Sequence, residues 1–90
     1  SKQYSVENDY CDNIAALSET MMLARQEGLS INDVRNAYLK ANQTEDINDI
    51  AEYILVKAYS YPIADNKDEM ITSFRNIMEV SCMLALSEGE

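Results

Sequence analysis

Two cysteines stand in this 90-residue chain, Cys11 near one end and Cys82 near the other, and the residues between them repeat apolar side chains at helical spacing. Such a pair has three readings: a disulfide, two buried structural thiols, or part of a metal or catalytic site. The last is the poorest fit, because the chain has no CxxC and no histidine to complete it. The choice between the first two turns on whether the fold brings the two ends together.

The apolar positions fall into four segments. The first, about 7–27, carries Cys11, Ile14, Ala15, Leu17, Met21, Met22 and Ala24 in steps of three and four. Gly28 stops it, since glycine accepts the left-handed conformation at a helix end, and Leu29 can fold back on the last turn. The second, about 31–42, opens on Ser30 as N-cap with Asp33 three residues later, a variant of the capping box. Its inward residues are Ile31, Val34, Ala37, Tyr38 and Ala41, and Asn42 is its stop. The third, about 45–60, has Thr44 as N-cap and Glu45 and Asp46 in the first turn, where the helix dipole favours negative charge. Ile47, Ile50, Ala51, Ile54 and Ala58 form its stripe, and Pro62 ends it. The fourth, about 67–87, is capped by Asp65 or Asn66 and turns Met70, Ile71, Phe74, Ile77, Met78, Ser81 and Ala85 inward. Val80, Met83 and Leu84 lie on sides of it that would be wet in a lone helix. Either another element covers them or they form a contact surface.

Two glycines and one proline are too few for a turn-rich β fold, and 90 residues make one domain. Consecutive helices on short links run antiparallel. The expected fold is therefore all-α, a four-helix up-down bundle-like domain. In that order the start of the first helix lies beside the end of the fourth, which favours the disulfide between Cys11 and Cys82. Closing a loop of that length contributes about 4 kcal/mol in the chain-entropy model.

Sixteen acids against seven bases give a formal charge of -9. That surface repels nucleic acid and anionic membranes, whose binding leans on Lys and Arg. No apolar run approaches the roughly 20 residues that span a bilayer, so membrane insertion is not expected. Without histidine there is no Ser-His-Asp or Cys-His set, and Gly28 as the only interior glycine leaves no phosphate-cradling loop. No catalysis, cofactor or metal is expected. Glu45, Asp46, Asp49 and Glu52 read as a solvated strip, or as a docking strip for a basic partner, and not as a calcium loop. Arg25 sits inside an apolar stripe. It either snorkels out at the helix end or pairs with a carboxylate across a helix junction. Tyr53, Tyr59, Tyr61 and Pro62 cluster at the end of the third helix, suited to a wet-edged core or to an interface. The five methionines read as core filler. The candidate interface is Tyr59, Tyr61, Val80, Met83 and Leu84, serving a protein partner or a symmetric homodimer.

Cys11 and Ala15, then Ala24, Arg25 and Gly28, then Ala58, Tyr59 and Pro62, then Cys82 form a C-x3-A, AR-x2-G, AY-x2-P and late-cysteine pattern. This pattern resembles a group of small exported bacterial proteins of uncharacterised function. The resemblance covers most of the chain. It implies export to the periplasm or beyond and a helical fold, and it supplies no catalytic residue. In size and in its two cysteines the chain is also similar, more loosely, to periplasmic acid-stress chaperones. The functional expectation is an exported helical protein acting by protein binding, as an accessory or an inhibitor. The alternatives are an acidic DNA mimic and a chaperone-like stress protein.

Overall fold

The computed structural model describes residues 2–39 and 45–88. Four helices follow one another: α1 (Lys2–Gln26), α2 (Ile31–Tyr38), α3 (Glu45–Tyr59) and α4 (Lys67–Glu88), with no strand among the described residues. The fold is the expected all-α, bundle-like one, with the first and last helices joined by a disulfide.

Helix α1 starts earlier than the spacing suggests, since nothing before Gly28 breaks a helix. Its end is built as expected. Gly28 takes φ 83°, its N–H bonds to the Arg25 carbonyl at 3.0 Å, and the Leu29 N–H bonds to the Ala24 carbonyl at 3.1 Å. These two bonds are the Schellman arrangement, which only a left-handed residue permits at low cost. Ser30 then caps α2 by accepting from the Asp33 N–H at 3.1 Å. The α2 helix is shorter than expected: Leu39 leaves the helical conformation while its N–H still bonds to the Arg35 carbonyl. Ala41, the expected stop at Asn42 and the expected cap at Thr44 lie outside the described residues. For α4, Asn66 and not Asp65 is the cap, its Oδ1 accepting from the Glu69 N–H at 3.1 Å.

Helix α1 is the hub. It packs along α4 on one side and α3 on another, while α2 rests mainly on α3. Cys11 is bonded to Cys82 with a Cα separation of 5.6 Å, and Glu19 lies beside Arg75, so α4 recedes as α1 advances. The C-terminal ends of α1 and α3 meet, where Arg25 and Gln26 reach Tyr61 and Pro62. The core lies among Met21, Met22, Val34, Ile54, Leu55, Phe74 and Met78. Leu55 belongs to it because α3 is wedged between α1 and α2 and must bury a wider arc than a single stripe.

Several residues expected to face inward stand in the open instead: Ala37, Tyr38, Ile47, Ile77, Ser81 and Ala85. The expectation assumed a closed ring of four helices. Here α3 and α4 both pack on α1 more than on each other, which leaves Ile77, Ser81 and Ala85 exposed along the gap between them. The buried stripe of α1 also contains two polar residues that the apolar pattern passed over, Ser18 and Gln26. Ser18 turns its hydroxyl back to the Ile14 carbonyl at 2.7 Å, which makes it an apolar surface outwardly.

Candidate functional site

The gap between α3 and α4 is an open groove of about 630 Å³ with α1 as its floor. Tyr10 and Ile14 come from α1, Ile50, Tyr53 and Ile54 from α3, and Ile77, Met78, Ala85 and Leu86 from α4. Asp49 and Lys57 stand on the α3 side, eight residues apart on one helix. The lining is mostly apolar, with a few polar groups at the edge, as binding grooves commonly are. A smaller cleft of about 260 Å³ lies between α1 and α2, where Leu23, Leu29, Ala37 and Tyr38 stay open.

The disulfide borders the larger groove. Cys82 is among its lining residues, while Cys11 is buried beneath. Past Met78 no described residue of α4 is fully buried. The last turns of α4 form a groove wall that the Cys11–Cys82 bond ties to α1.

Helix α4 therefore answers the question its sequence left open. Val80, Met83 and Leu84 are exposed, at 53%, 40% and 57%, and no described element covers them. Tyr59 and Tyr61, placed with them by sequence, are half-buried and lie apart from them, Tyr61 lining the groove. The Tyr59 hydroxyl donates to the Leu29 carbonyl at 2.7 Å, and the Tyr61 ring meets Phe74 edge-on at 5.5 Å. Burial pushes the Tyr59 hydroxyl above the usual tyrosine range. Of the tyrosine cluster it is Tyr53 that stands in the open, on the groove.

Arg25 does cross a helix junction, but its partner is not a carboxylate. Its Nε donates to the Tyr61 carbonyl at 2.8 Å, and its guanidinium lies 5.4 Å from the centre of the Tyr59 ring. The reason is local. The turn after α3 lies against the last turn of α1, and its backbone carbonyls, outside any helix, need donors. Those oxygens and the aromatic face satisfy the cation in place of an acid. Beside it the buried Gln26 donates to the Pro62 carbonyl at 3.0 Å and accepts from the Ala64 N–H at 2.8 Å. The segments 24–28 and 58–62, far apart in sequence, thus form one structural junction.

The bidentate pair expected of Arg25 belongs to Arg35. Its Nε and Nη2 donate to the two carboxylate oxygens of Glu52 at 2.9 and 2.7 Å, and Nη1 donates to Asn32 at 2.9 Å. Hydrogen bonding from Arg35 holds the Glu52 carboxyl below its ordinary range, and the Arg35 value is raised in turn. Glu52 thereby leaves the acidic strip on which the sequence placed it, while Glu45, Asp46 and Asp49 remain exposed. Arg75 Nε lies 3.5 Å from Glu19 Oε1, an ion-pair contact without hydrogen-bond geometry.

Among the described residues no three acidic, cysteine or histidine side chains converge as a metal site, and no helix is long and apolar enough to cross a membrane. Comparison with protein-family models, curated proteins and solved structures found no significant match.

Proposed function

We propose that this protein acts by binding an apolar segment of a partner protein in the groove between α3 and α4, without catalysis. The observation that carries this reading is the groove itself: about 630 Å³, open along its length, walled by isoleucines and floored by α1. An apolar groove between two helices, with Asp49 and Lys57 at its edge, suits a helix laid face-down. The exposed ring of Tyr53 supplies area and a hydroxyl at low entropy cost. An envelope location fits the role, because an oxidising compartment is where such a disulfide persists. The protein would then serve as an accessory or inhibitor in that compartment.

Site-specific photocrosslinking tests this. A photoreactive residue at Tyr53 or Ser81, both on the groove, is expected to give a discrete adduct in an envelope extract. The same probe at Val56, exposed on the outer side of α3, is expected to give none. Equal labelling from all three positions, or none from any, contradicts the reading.

A further inference from the structure

Resting on the reading that the groove between α3 and α4 takes an apolar helix, we infer that Asp49 and Lys57 select that helix and set its direction. The occupant is an amphipathic helix with a base and an acid about two turns apart along the edge of its apolar stripe. The base lies against Asp49 and the acid against Lys57.

The two walls of the groove are unlike. On α4 the described lining residues are Ile77, Met78, Ser81, Cys82, Ala85 and Leu86, all uncharged. On α3, Asp49, Tyr53 and Lys57 recur every four residues and so form one ridge, with opposite charges at its two ends. Both charges are exposed, and neither makes an ion pair with a described residue. The arginines differ: Arg25, Arg35 and Arg75 are all engaged within the fold. Lys57 is thus a base left free at the groove of a chain whose formal charge is -9.

The charges mark the two ends of the groove. Tyr61 meets Phe74 at one end. From that contact α3 runs back through Lys57 to Asp49, while α4 runs on through Ile77 to Leu86. Lys57 therefore stands toward the Tyr61 end and Asp49 toward the Leu86 end. Glu45 and Asp46, exposed one turn before Asp49, extend the negative end. At a rise of 1.5 Å per residue, the backbone positions of Asp49 and Lys57 are about 12 Å apart.

That arrangement narrows the occupant. A wholly apolar groove accepts an apolar helix in either direction. Here a helix with acids at both ends of its edge sets like charges together at Asp49. A helix with one base and one acid about seven residues apart presents them on one side, about 10 Å from each other, and meets both partners. Turned end for end, the same helix brings like charges together twice, so the pair rejects the wrong direction as well as favouring the right one. The α4 wall is uncharged and puts no such demand on the opposite edge.

The test uses three synthetic helical peptides with one leucine stripe, differing only at two edge positions about seven residues apart. These positions are Lys and Glu, Gln and Gln, or Glu and Glu. The Lys/Glu peptide is expected to bind about fivefold tighter than Gln/Gln at low salt, and Glu/Glu weakest. The advantage should shrink as salt screens the charges. Lys57→Gln should remove most of it, whereas Lys67→Gln, a base away from the groove, should leave it unchanged. The double variant Asp49→Lys with Lys57→Asp keeps the net charge, so long-range attraction is the same. It should bind the Lys/Glu peptide within about twofold of the parent and reverse its direction. A nitroxide at the Lys end of the peptide reads direction by broadening backbone resonances: near Leu86 in the parent, near Tyr61 in the double variant. Both positions are exposed, so the variant should keep its helical circular dichroism. Equal affinity of the Lys/Glu and Gln/Gln peptides, with broadening along the groove, overturns this inference and leaves the groove reading standing. The same direction in parent and double variant does likewise. No broadening along the groove with any peptide overturns the groove reading, and this inference falls with it.

Discussion

The Gln26 side chain uses both its donor and its acceptor on the backbone of the turn after α3, at 1% exposure. Replacing it by methionine keeps the volume and leaves the Ala64 N–H and the Pro62 carbonyl without their partner. Leaving buried polar groups unsatisfied costs about 2 kcal/mol. Gln26→Met is therefore expected to lower the denaturant midpoint by that equivalent with the slope unchanged. A loss below about 0.5 kcal/mol would mean that water takes over both bonds. Gln26 was not legible in the sequence, because a polar letter at the end of an apolar stripe reads as exposed. It follows Cys11, Ala15, Ser18 and Met22 at steps of three and four, so the position was visible while the chemistry hid it. Arg25 was legible as a residue needing a partner across a junction. The partner's identity was not, since backbone carbonyls carry no sequence signature.

Between elements, what the sequence tells depends on how local the cause is. Gly28 and Ser30 act within one turn, and both caps stand where their letters place them. The stripes of α3 and α4 depend on neighbours, and there periodicity marks a side without saying whether anything covers it. Ile77 and Ala85 keep perfect spacing and still face an open groove. The Arg35–Glu52 pair is also a matter between elements, tying α2 to α3 across 17 residues of sequence. Its pH dependence has a definite sign. The folded Glu52 carboxyl sits below its ordinary value, chiefly through hydrogen bonding to Arg35. As pH falls the unfolded chain takes up the proton first, so the pair's stabilisation is present above the ordinary carboxylate range. It is lost as pH drops through the lowered folded value. Glu52→Gln is accordingly expected to be less stable than the parent chain near neutrality, with the difference closing in acid. Thermal unfolding across a pH series measures it, and a difference constant with pH would contradict the assignment.

At the scale of the molecule, one helix carries the others, and the last helix is bound to it most firmly at two places. The first is the buried pair Phe74 and Met78. The second is the Cys11–Cys82 bond, which closes a sequence separation of 71 and contributes about 4 kcal/mol in the chain-entropy model. Beyond Met78 the described apolar residues of the helix line the groove or stand on its exposed outer face, and the covalent bond fixes that stretch to α1. In this account that bond has the main part in holding the binding surface. Hydrogen exchange of the oxidised and reduced protein, resolved by peptide mass, tests it directly. On reduction, amides of the segment 79–88 should lose protection by an order of magnitude or more, while those of 71–78 and of the core of α1 stay within a few-fold of the oxidised values. Protection retained through residue 88 after reduction would show that packing alone holds the wall, and would contradict the account.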